Sequence, residues 1–102
     1  MPKVARKGDN ISTGHSCDST APIESGDSGG SETVFANGIG VSHRNASISP
    51  HTIRSGDSCV NHSAVVNQGS GTVYVEGIPL ARVTDSADAG EIIQGSPDVY
   101  SG

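Results

Sequence analysis

The chain has 102 residues with a formal net charge of −5, and 32% of them are hydrophobic and 3% aromatic. This length allows one small domain, residues 1–102, and the composition excludes a helical bundle, which needs Leu-rich faces. The acidic balance gives no basic footprint for nucleic acid, and no apolar run approaches the ~20 residues of a membrane span. Because such a small core is thin, we expect a disulfide, a metal or oligomerisation to add stability.

A short phrase recurs along the chain, first at residues 5–9 (Ala-Arg-Lys-Gly-Asp) and again at residues 81–85 (Ala-Arg-Val-Thr-Asp). Residues 42–46 (Ser-His-Arg-Asn-Ala) stand at the corresponding distance from the preceding turn but depart from the pattern. Each copy is typical of a returning strand that ends in a Gly/Asp turn. The sequence therefore predicts three passes of strand, turn and loop.

A second phrase, Gly-Ser-x-x-Val-aromatic, opens residues 30–41 and 69–80 and returns shortened in residues 95–102. Asn37-Gly38 is a strong signal for a two-residue hairpin turn, and Glu76-Gly77 occupies the same place in the next copy. Val and Ile supply nearly all the large aliphatic side chains, and β-branched residues favour strands. We therefore expect an all-β fold in which three circularly offset hairpin repeats pack around a shared axis.

These phased copies resemble the PAAR-repeat family, which is named for a Pro-Ala-Ala-Arg phrase. The nearest copy is residues 79–82 (Pro-Leu-Ala-Arg), with a looser one at residues 2–6, and the resemblance spans nearly the whole chain. It implies a small, sharp cone of β-hairpins with pseudo-threefold symmetry. In this family the broad base caps a trimeric spike of a contractile injection machine, a phage tail or a type VI secretion system. A metal ion, usually zinc, is held near the apex by His and Cys.

Structural zinc takes four ligands, typically Cys sulfur and His nitrogen. His15 follows a Gly-Asp turn and matches the first ligand position of the family, and Cys59 and His62 form a Cys-x-x-His pair. His51 faces Cys59 across the intervening loop, so the predicted ligands are His15, His51, Cys59 and His62, with His43 and Cys17 as substitutes. Iron would suit the same set.

The competing interpretation is a disulfide between Cys17 and Cys59. It would contribute ~2–4 kcal/mol, whereas structural zinc contributes on the order of ten. Thiols stay reduced in bacterial cytoplasm, which favours the metal.

Enzymatic chemistry is not expected. The chain has no His-Glu-x-x-His motif, and residues 26–30 (Gly-Asp-Ser-Gly-Gly) match a serine-protease phrase without the chain length that such a fold needs. The acidic loop residues are interpreted as solvated turn residues that form no calcium loop. They are Asp57, Asp85, Asp88 and Asp98.

The predicted function is that of a spike-tip protein, a monomer that seats one copy on each trimeric β-helical spike and helps it pierce a bacterial envelope. Edge strands and apolar side chains of the base are expected to bind the spike. Those side chains are Val34, Phe35, Val73, Tyr74 and Val75.

Residues 1–6 lead into no apolar stretch, so no signal peptide is expected. The protein would reside at a virion tail tip, or in bacterial cytoplasm before export by the machine. The sequence is compatible with a protein of a phage and with a protein of a bacterium that has a secretion system. The alternative functions are a small metal-dependent enzyme domain and a disulfide-stapled secreted β module.

Overall fold

The structure is a computed structural model that describes residues 1–102, and it contains ten short β-strands and no α-helix. One 3-10 turn, Asp27–Gly29, occupies the protease-like phrase. The strands are β1 (Asn10–Ser12), β2 (Thr20–Pro22), β3 (Phe35–Ala36), β4 (Ile39–Gly40), β5 (Ser47–Ser55), β6 (Ser58–Val65), β7 (Tyr74–Val75), β8 (Ile78–Pro79), β9 (Ser86–Ala87) and β10 (Gly90–Glu91). The prediction of an all-β fold is confirmed.

Each sheet is an antiparallel hairpin of two consecutive strands, and isolated bridges such as Ile23–Ile48 join neighbouring hairpins. Two small hairpins, β3–β4 and β7–β8, alternate with three others, β1–β2, β5–β6 and β9–β10. The two chain ends form the third small hairpin-like pair. Lys3 bridges Tyr100 there in the same way that Gly40 pairs with Phe35 in β3–β4. The fold is therefore a pseudo-threefold arrangement of hairpins, as the repeats predicted.

Both predicted two-residue turns are present. Asn37 and Gly38 have φ of 57° and 76°, and Glu76 and Gly77 have φ of 52° and 80°. Positive φ at both central residues is the geometry that matches the right-handed twist of short hairpins. These turns fix the register of β3–β4 and β7–β8 and so place their aromatic residues.

A ring of three backbone hydrogen bonds marks the pseudo-threefold axis. The Ala5 N–H donates to the Ala81 carbonyl (3.0 Å), the Ala81 N–H to the Ser42 carbonyl (3.1 Å), and the Ser42 N–H to the Ala5 carbonyl (2.9 Å). All three residues are fully buried. Small side chains recur at this position because three backbones meet there.

Two apolar layers lie on either side of this ring. The layer toward the small hairpins contains Val4, Ala36, Val41, Val75 and Leu80. The other layer contains the equivalent residues Ile11, Ile48 and Ala87 from the outgoing strands and Ile23, Val66 and Ile92 from the returning chain. Each pass therefore runs from the small-hairpin end, past the ring of hydrogen bonds, and on into β1–β2, β5–β6 or β9–β10 at the other end.

The β5–β6 hairpin is the longest element, with nine and eight residues in its strands. Its outer part, residues 54–61, is exposed on both strands. The molecule measures 41 × 24 × 22 Å. None of its elements is a helix that is long and apolar enough to cross a membrane.

Candidate metal centre and docking face

Three histidine side chains come together at the apex, which is the end of the molecule opposite the small hairpins β3–β4 and β7–β8. His15 lies in the loop between β1 and β2, and His51 and His62 are register partners across β5–β6. Their ring centroids are 5.1 Å apart for His15 and His62, 5.2 Å for His51 and His62, and 6.3 Å for His15 and His51. The structure thus brings together the three predicted histidine ligands from two separate segments.

The fourth group at this cluster is Asp88, in the turn between β9 and β10. One carboxylate oxygen, Oδ1, lies 3.1 Å from His15 Nε2 and 3.0 Å from His62 Nε2, and Oδ2 lies 2.6 Å from His51 Nε2. Its side chain is only 7% exposed. The interpretation of Asp88 as a solvated turn residue is therefore wrong, since it is the hub that all three imidazoles contact.

The protonation of this cluster is constrained by His51. Its Nδ1 lies 2.9 Å from the Ser49 carbonyl oxygen while its Nε2 faces Asp88, so both ring nitrogens face oxygens. Burial lowers the pKa of His51, but the Ser49 carbonyl and Asp88 outweigh it and raise the pKa overall. For Asp88 the effect of burial has the opposite sign and raises the pKa. Hydrogen bonds from His62, His51 and His15 outweigh burial and bring the pKa of Asp88 below its usual value.

The same geometry fits a metal ion. A ligating histidine commonly donates its other ring N–H to a backbone carbonyl, as His51 does toward Ser49, which leaves Nε2 with a free lone pair. Ligand atoms around tetrahedral zinc lie about 3.3 Å apart, close to the observed separations between the Nε2 atoms and Asp88. Asp88, His15 and His62 offer ligand atoms within 4.8 Å of one another, and His51 joins this group through Asp88 Oδ2 without meeting that spacing to every member. The set of imidazole and carboxylate groups therefore suits a borderline divalent cation such as zinc.

The cysteines take a different part from the one predicted. Cys17 and Cys59 form a disulfide, so Cys59 offers no thiolate and is not one of the groups that meet at the cluster. Cys17, its proposed substitute, is excluded for the same reason. His43 lies elsewhere, with its Nδ1 2.8 Å from the Arg44 carbonyl oxygen. The sequence offers the disulfide and the metal site as alternatives, whereas the structure contains the disulfide beside the histidine cluster.

An apolar face lies at the opposite end, on the small hairpins. Phe35 and Tyr74 are each 57% exposed and Tyr100 is 49% exposed, although all three are large and apolar or aromatic. The face encloses a shallow recess of about 390 Å³. Its apolar lining also includes Val34, Val73 and Val99.

One of the residues predicted for this face lies beneath it. Val75 is only 3% exposed and belongs to the apolar layer with Val4, Val41 and Leu80. Strand neighbours point to opposite sides, so when Tyr74 faces outward Val75 must face inward. All five predicted residues line the recess, but Val75 lies in its floor and is too buried to be an exposed surface contact, unlike Val34, Phe35, Val73 and Tyr74.

Three buried serines hold the face in shape. Each hydroxyl accepts hydrogen bonds from the two backbone N–H groups that lie two and three residues further on, as Ser31 does from Thr33 and Val34. The same contacts recur at Ser70 and Ser96. Each hydroxyl also donates to a neighbouring sector: Ser31 to Glu76 Oε2, Ser70 to the Gly102 carbonyl, and Ser96 to Asn37 Oδ1. These bonds lock the three Val–aromatic pairs into equivalent positions.

Two sets of functional residues escaped the sequence reasoning, although each had a signal. Val99 and Tyr100 belong to the third Gly-Ser phrase but were not included in the predicted contact set. Asp88 follows the third Ala-Arg phrase, six residues after Arg82, in the pass from which no ligand was expected because it has no His or Cys. Its position beyond the turn of the third pass is the signal for Asp88, although the sequence alone does not single it out from the other acidic turn residues.

The fold and its two ends define a class: a small β cone with a threefold apolar base and a cross-linked polar apex. The family model for the PAAR motif matches residues 55–102, a little under half of the chain. Residues 1–54 repeat the same units, with Arg6 paired to Asp9 as Arg82 is to Asp85. Residues 55–102 carry the PAAR motif, and this motif implies a general role as a spike tip of contractile injection machines. No curated protein matches the chain.

Proposed function

We propose that this protein caps the blunt end of a trimeric β-helical spike and sharpens it for passage through a bacterial envelope. One copy would seat on three spike chains. The PAAR family is structural, and a non-enzymatic role fits it. The protein would act at a virion tail tip, or on a spike assembled in bacterial cytoplasm and then exported.

The observation that carries this proposal is the threefold repetition of exposed aromatic residues on one face. Phe35, Tyr74 and Tyr100 occupy equivalent positions in the three sectors, next to Val34, Val73 and Val99. A contiguous apolar face is uncommon on a monomer and marks an interaction site. Because the face has pseudo-threefold symmetry on one chain, each chain of a threefold partner would find a similar set of contacts.

The apolar face could also cover the unpaired strand edges at the end of the spike. The end of a β-helical spike presents unpaired backbone N–H and C=O groups, which invite non-specific strand pairing. A cap that buries aromatic side chains against that end would cover those edges. This supports end-on docking over binding along the side of the spike.

We further propose that the apex holds one structural zinc ion, with iron as the alternative occupant, through His15, His51, His62 and Asp88. The ion would supply positive charge that binds all four groups at once. The chain's own residues position those groups: the β5–β6 ladder holds His51 and His62, and the β9–β10 turn presents Asp88. Four protein ligands leave no open position for substrate, which favours a structural ion over a catalytic one.

The docking proposal is tested by mixing the protein with a recombinant trimeric β-helical spike from the same organism and measuring the mass of the complex by light scattering. We expect one tip for each trimer. Tyr74→Lys should weaken the complex at least tenfold, because it places a charge in the apolar face. Val60→Lys is the matched control, since Val60 is 42% exposed but lies on β6. Equal binding by both variants, or one tip for each spike chain, would contradict the proposal.

A further inference from the structure

The disulfide joins the same two segments that carry the histidines. Cys17 lies two residues after His15, in the loop between β1 and β2, and Cys59 lies three residues before His62 on β6. The Cα atoms of the two cysteines are 6.1 Å apart although 42 positions separate them in sequence. The bond therefore ties the one-histidine loop to the two-histidine hairpin.

The structure assigns this disulfide a positioning role: it holds His15 against the β5–β6 hairpin, so that the affinity of the apex for zinc depends on the redox state of Cys17 and Cys59. The inference rests on the metal site proposed above. It makes Cys17 and Cys59 residues that act through His15, with no direct bond to the ion.

His15 needs such a support more than the other three groups do. His51 and His62 are held directly by the β5–β6 ladder. The turn that carries Asp88 is tied by three hydrogen bonds: the Asp88 N–H to the Val65 carbonyl, the Ala89 N–H to the Thr13 carbonyl, and the Asn67 amide to the Asp88 carbonyl.

The loop of His15 has no strand and no large apolar side chain. Residues 14–19 read Gly-His-Ser-Cys-Asp-Ser, and Gly14, Ser16, Asp18 and Ser19 are exposed. Buried Thr13 braces the loop from within, since its Oγ1 accepts from the His15 N–H and donates to the Asp18 carbonyl. Apart from the disulfide, the loop is attached to the β5–β6 hairpin by bonds between Asp18 and Thr52. Such exposed polar contacts contribute little against loop fraying, so the covalent bond is the stronger tether.

Reduction would remove that tether. A phosphine supplies two electrons and becomes a phosphine oxide with the oxygen of a water molecule, whose two protons leave Cys17 and Cys59 as thiols. The loop would then sample conformations in which His15 Nε2 has left Asp88 and His62. Loss of a group that orients a metal ligand typically costs 10–100-fold in affinity, and we expect a change of this size here.

The test is a zinc titration against a competing chelator on the oxidised protein, on protein reduced with a phosphine, and on a C17S/C59S variant that lacks any thiol. We expect both altered forms to bind zinc 10–100-fold more weakly than the oxidised protein. Reoxidation of the reduced protein should restore the affinity. Ser16→Ala, in the same loop, should leave the affinity unchanged.

A second arm separates positioning from general destabilisation. In a His15→Ala background the disulfide has no ligand to position, so C17S/C59S should cause no further loss of zinc affinity. An equal loss in both backgrounds would overturn the inference. So would equal affinity of the oxidised protein and C17S/C59S, or tighter binding by the reduced protein, which would make a thiolate the ligand.

Folding of each form is checked by circular dichroism, and C17A/C59A replaces the serine variant if the latter does not fold. Zinc binding by the oxidised protein also distinguishes the two claims. If the oxidised protein binds no zinc, the proposed metal site falls and this inference falls with it. If all forms bind equally, the metal site stands and only the redox dependence is wrong.

Discussion

The base and the apex of this molecule are stabilised by different interactions. At the base, three sectors repeat a buried serine and a Val–aromatic pair, joined around a ring of backbone hydrogen bonds. Two sectors close with a tight turn, and the paired chain ends complete the third. At the apex each sector is different. The first contributes a loop, the second a long hairpin and the third a two-residue turn.

The difference follows from how much interior each end has to fill. The base is wide enough for apolar layers, so repeated Val, Ile and Ala residues stabilise it by burial. Near the apex no apolar layer remains, and polar groups must be held by specific bonds. Three imidazoles, one carboxylate and one disulfide supply these bonds.

The largest expected effect is at the apex. His51→Ala removes a proposed zinc ligand and its hydrogen bond to Ser49, and we expect zinc affinity to fall at least 100-fold, measured by chelator competition. The rise in melting temperature on zinc addition should disappear with it. His43→Ala is the control, because His43 lies outside the cluster. Equal loss in both variants would contradict the assigned ligands.

The next largest effect is on the free energy of unfolding, in the apolar layer on the apex side of the ring of backbone hydrogen bonds. Ile92 is fully buried, so Ile92→Ala should lower the free energy of unfolding by about 2–5 kcal/mol through lost burial and the cavity that remains. The neighbouring Ile93 is 48% exposed, and Ile93→Ala should change stability by less than about 0.5 kcal/mol. Urea denaturation measures both, and similar losses would show that the layer is not the principal core.

A smaller change in the free energy of unfolding, of opposite sign, is expected at the pseudo-threefold axis. Ser42 Oγ is buried without a hydrogen-bond partner, and the equivalent positions are Ala5 and Ala81. Ser42→Ala should therefore raise the free energy of unfolding by about 1 kcal/mol. Ser31→Ala should lower it, because the Ser31 hydroxyl accepts two hydrogen bonds and donates one. A destabilised Ser42→Ala variant would contradict this account of the axis.

The smallest effect is the pH dependence of the metal-free protein. The pKa of His51 is raised above 6.5, so its contribution is present below pH 6.5 and is lost as the pH rises through the folded value. The pKa of Asp88 is lowered below 3.8, so its contribution is present above pH 3.8 and is lost on acidification. Metal-free protein should thus melt at its highest temperature between these limits. Zinc-loaded protein should keep its stability at about pH 8, because metal ligands must be deprotonated.

A chelator-treated sample that is equally stable at about pH 6 and pH 8 would argue against the His51–Asp88 contact. His51→Gln provides the control, since glutamine does not titrate and should abolish the decline above pH 6.5. The comparison needs circular dichroism melts at a constant ionic strength.

The base was the more predictable end because its pattern is repetitive. Asn37-Gly38 and Glu76-Gly77 predicted the two hairpin turns, and the three Gly-Ser phrases predicted the three sectors. What the pattern left open was side-chain direction: Val75 stands beside Tyr74 in sequence, and only the pleat of β7 assigns one inward and the other outward.

The apex was less predictable because its four groups come from three different elements: a loop, the β5–β6 hairpin and the β9–β10 turn. His51 and His62 could be found, since a hairpin turn separates them. Asp88 could not be told from the other acidic turn residues by composition, because its role depends on where the β9–β10 turn sits relative to β5–β6. The pairing of Cys17 with Cys59 likewise depends on loop placement over 42 positions of sequence.

The most direct test of the account is X-ray absorption at the zinc edge on protein loaded with one equivalent of zinc. The account predicts four nitrogen and oxygen neighbours at about 2.0 Å and no sulfur, with the Cys17–Cys59 bond intact. A sulfur neighbour at about 2.3 Å would contradict it and assign a cysteine to the ion in place of Asp88. Protein that retains no zinc after dialysis would remove the metal from the apex altogether.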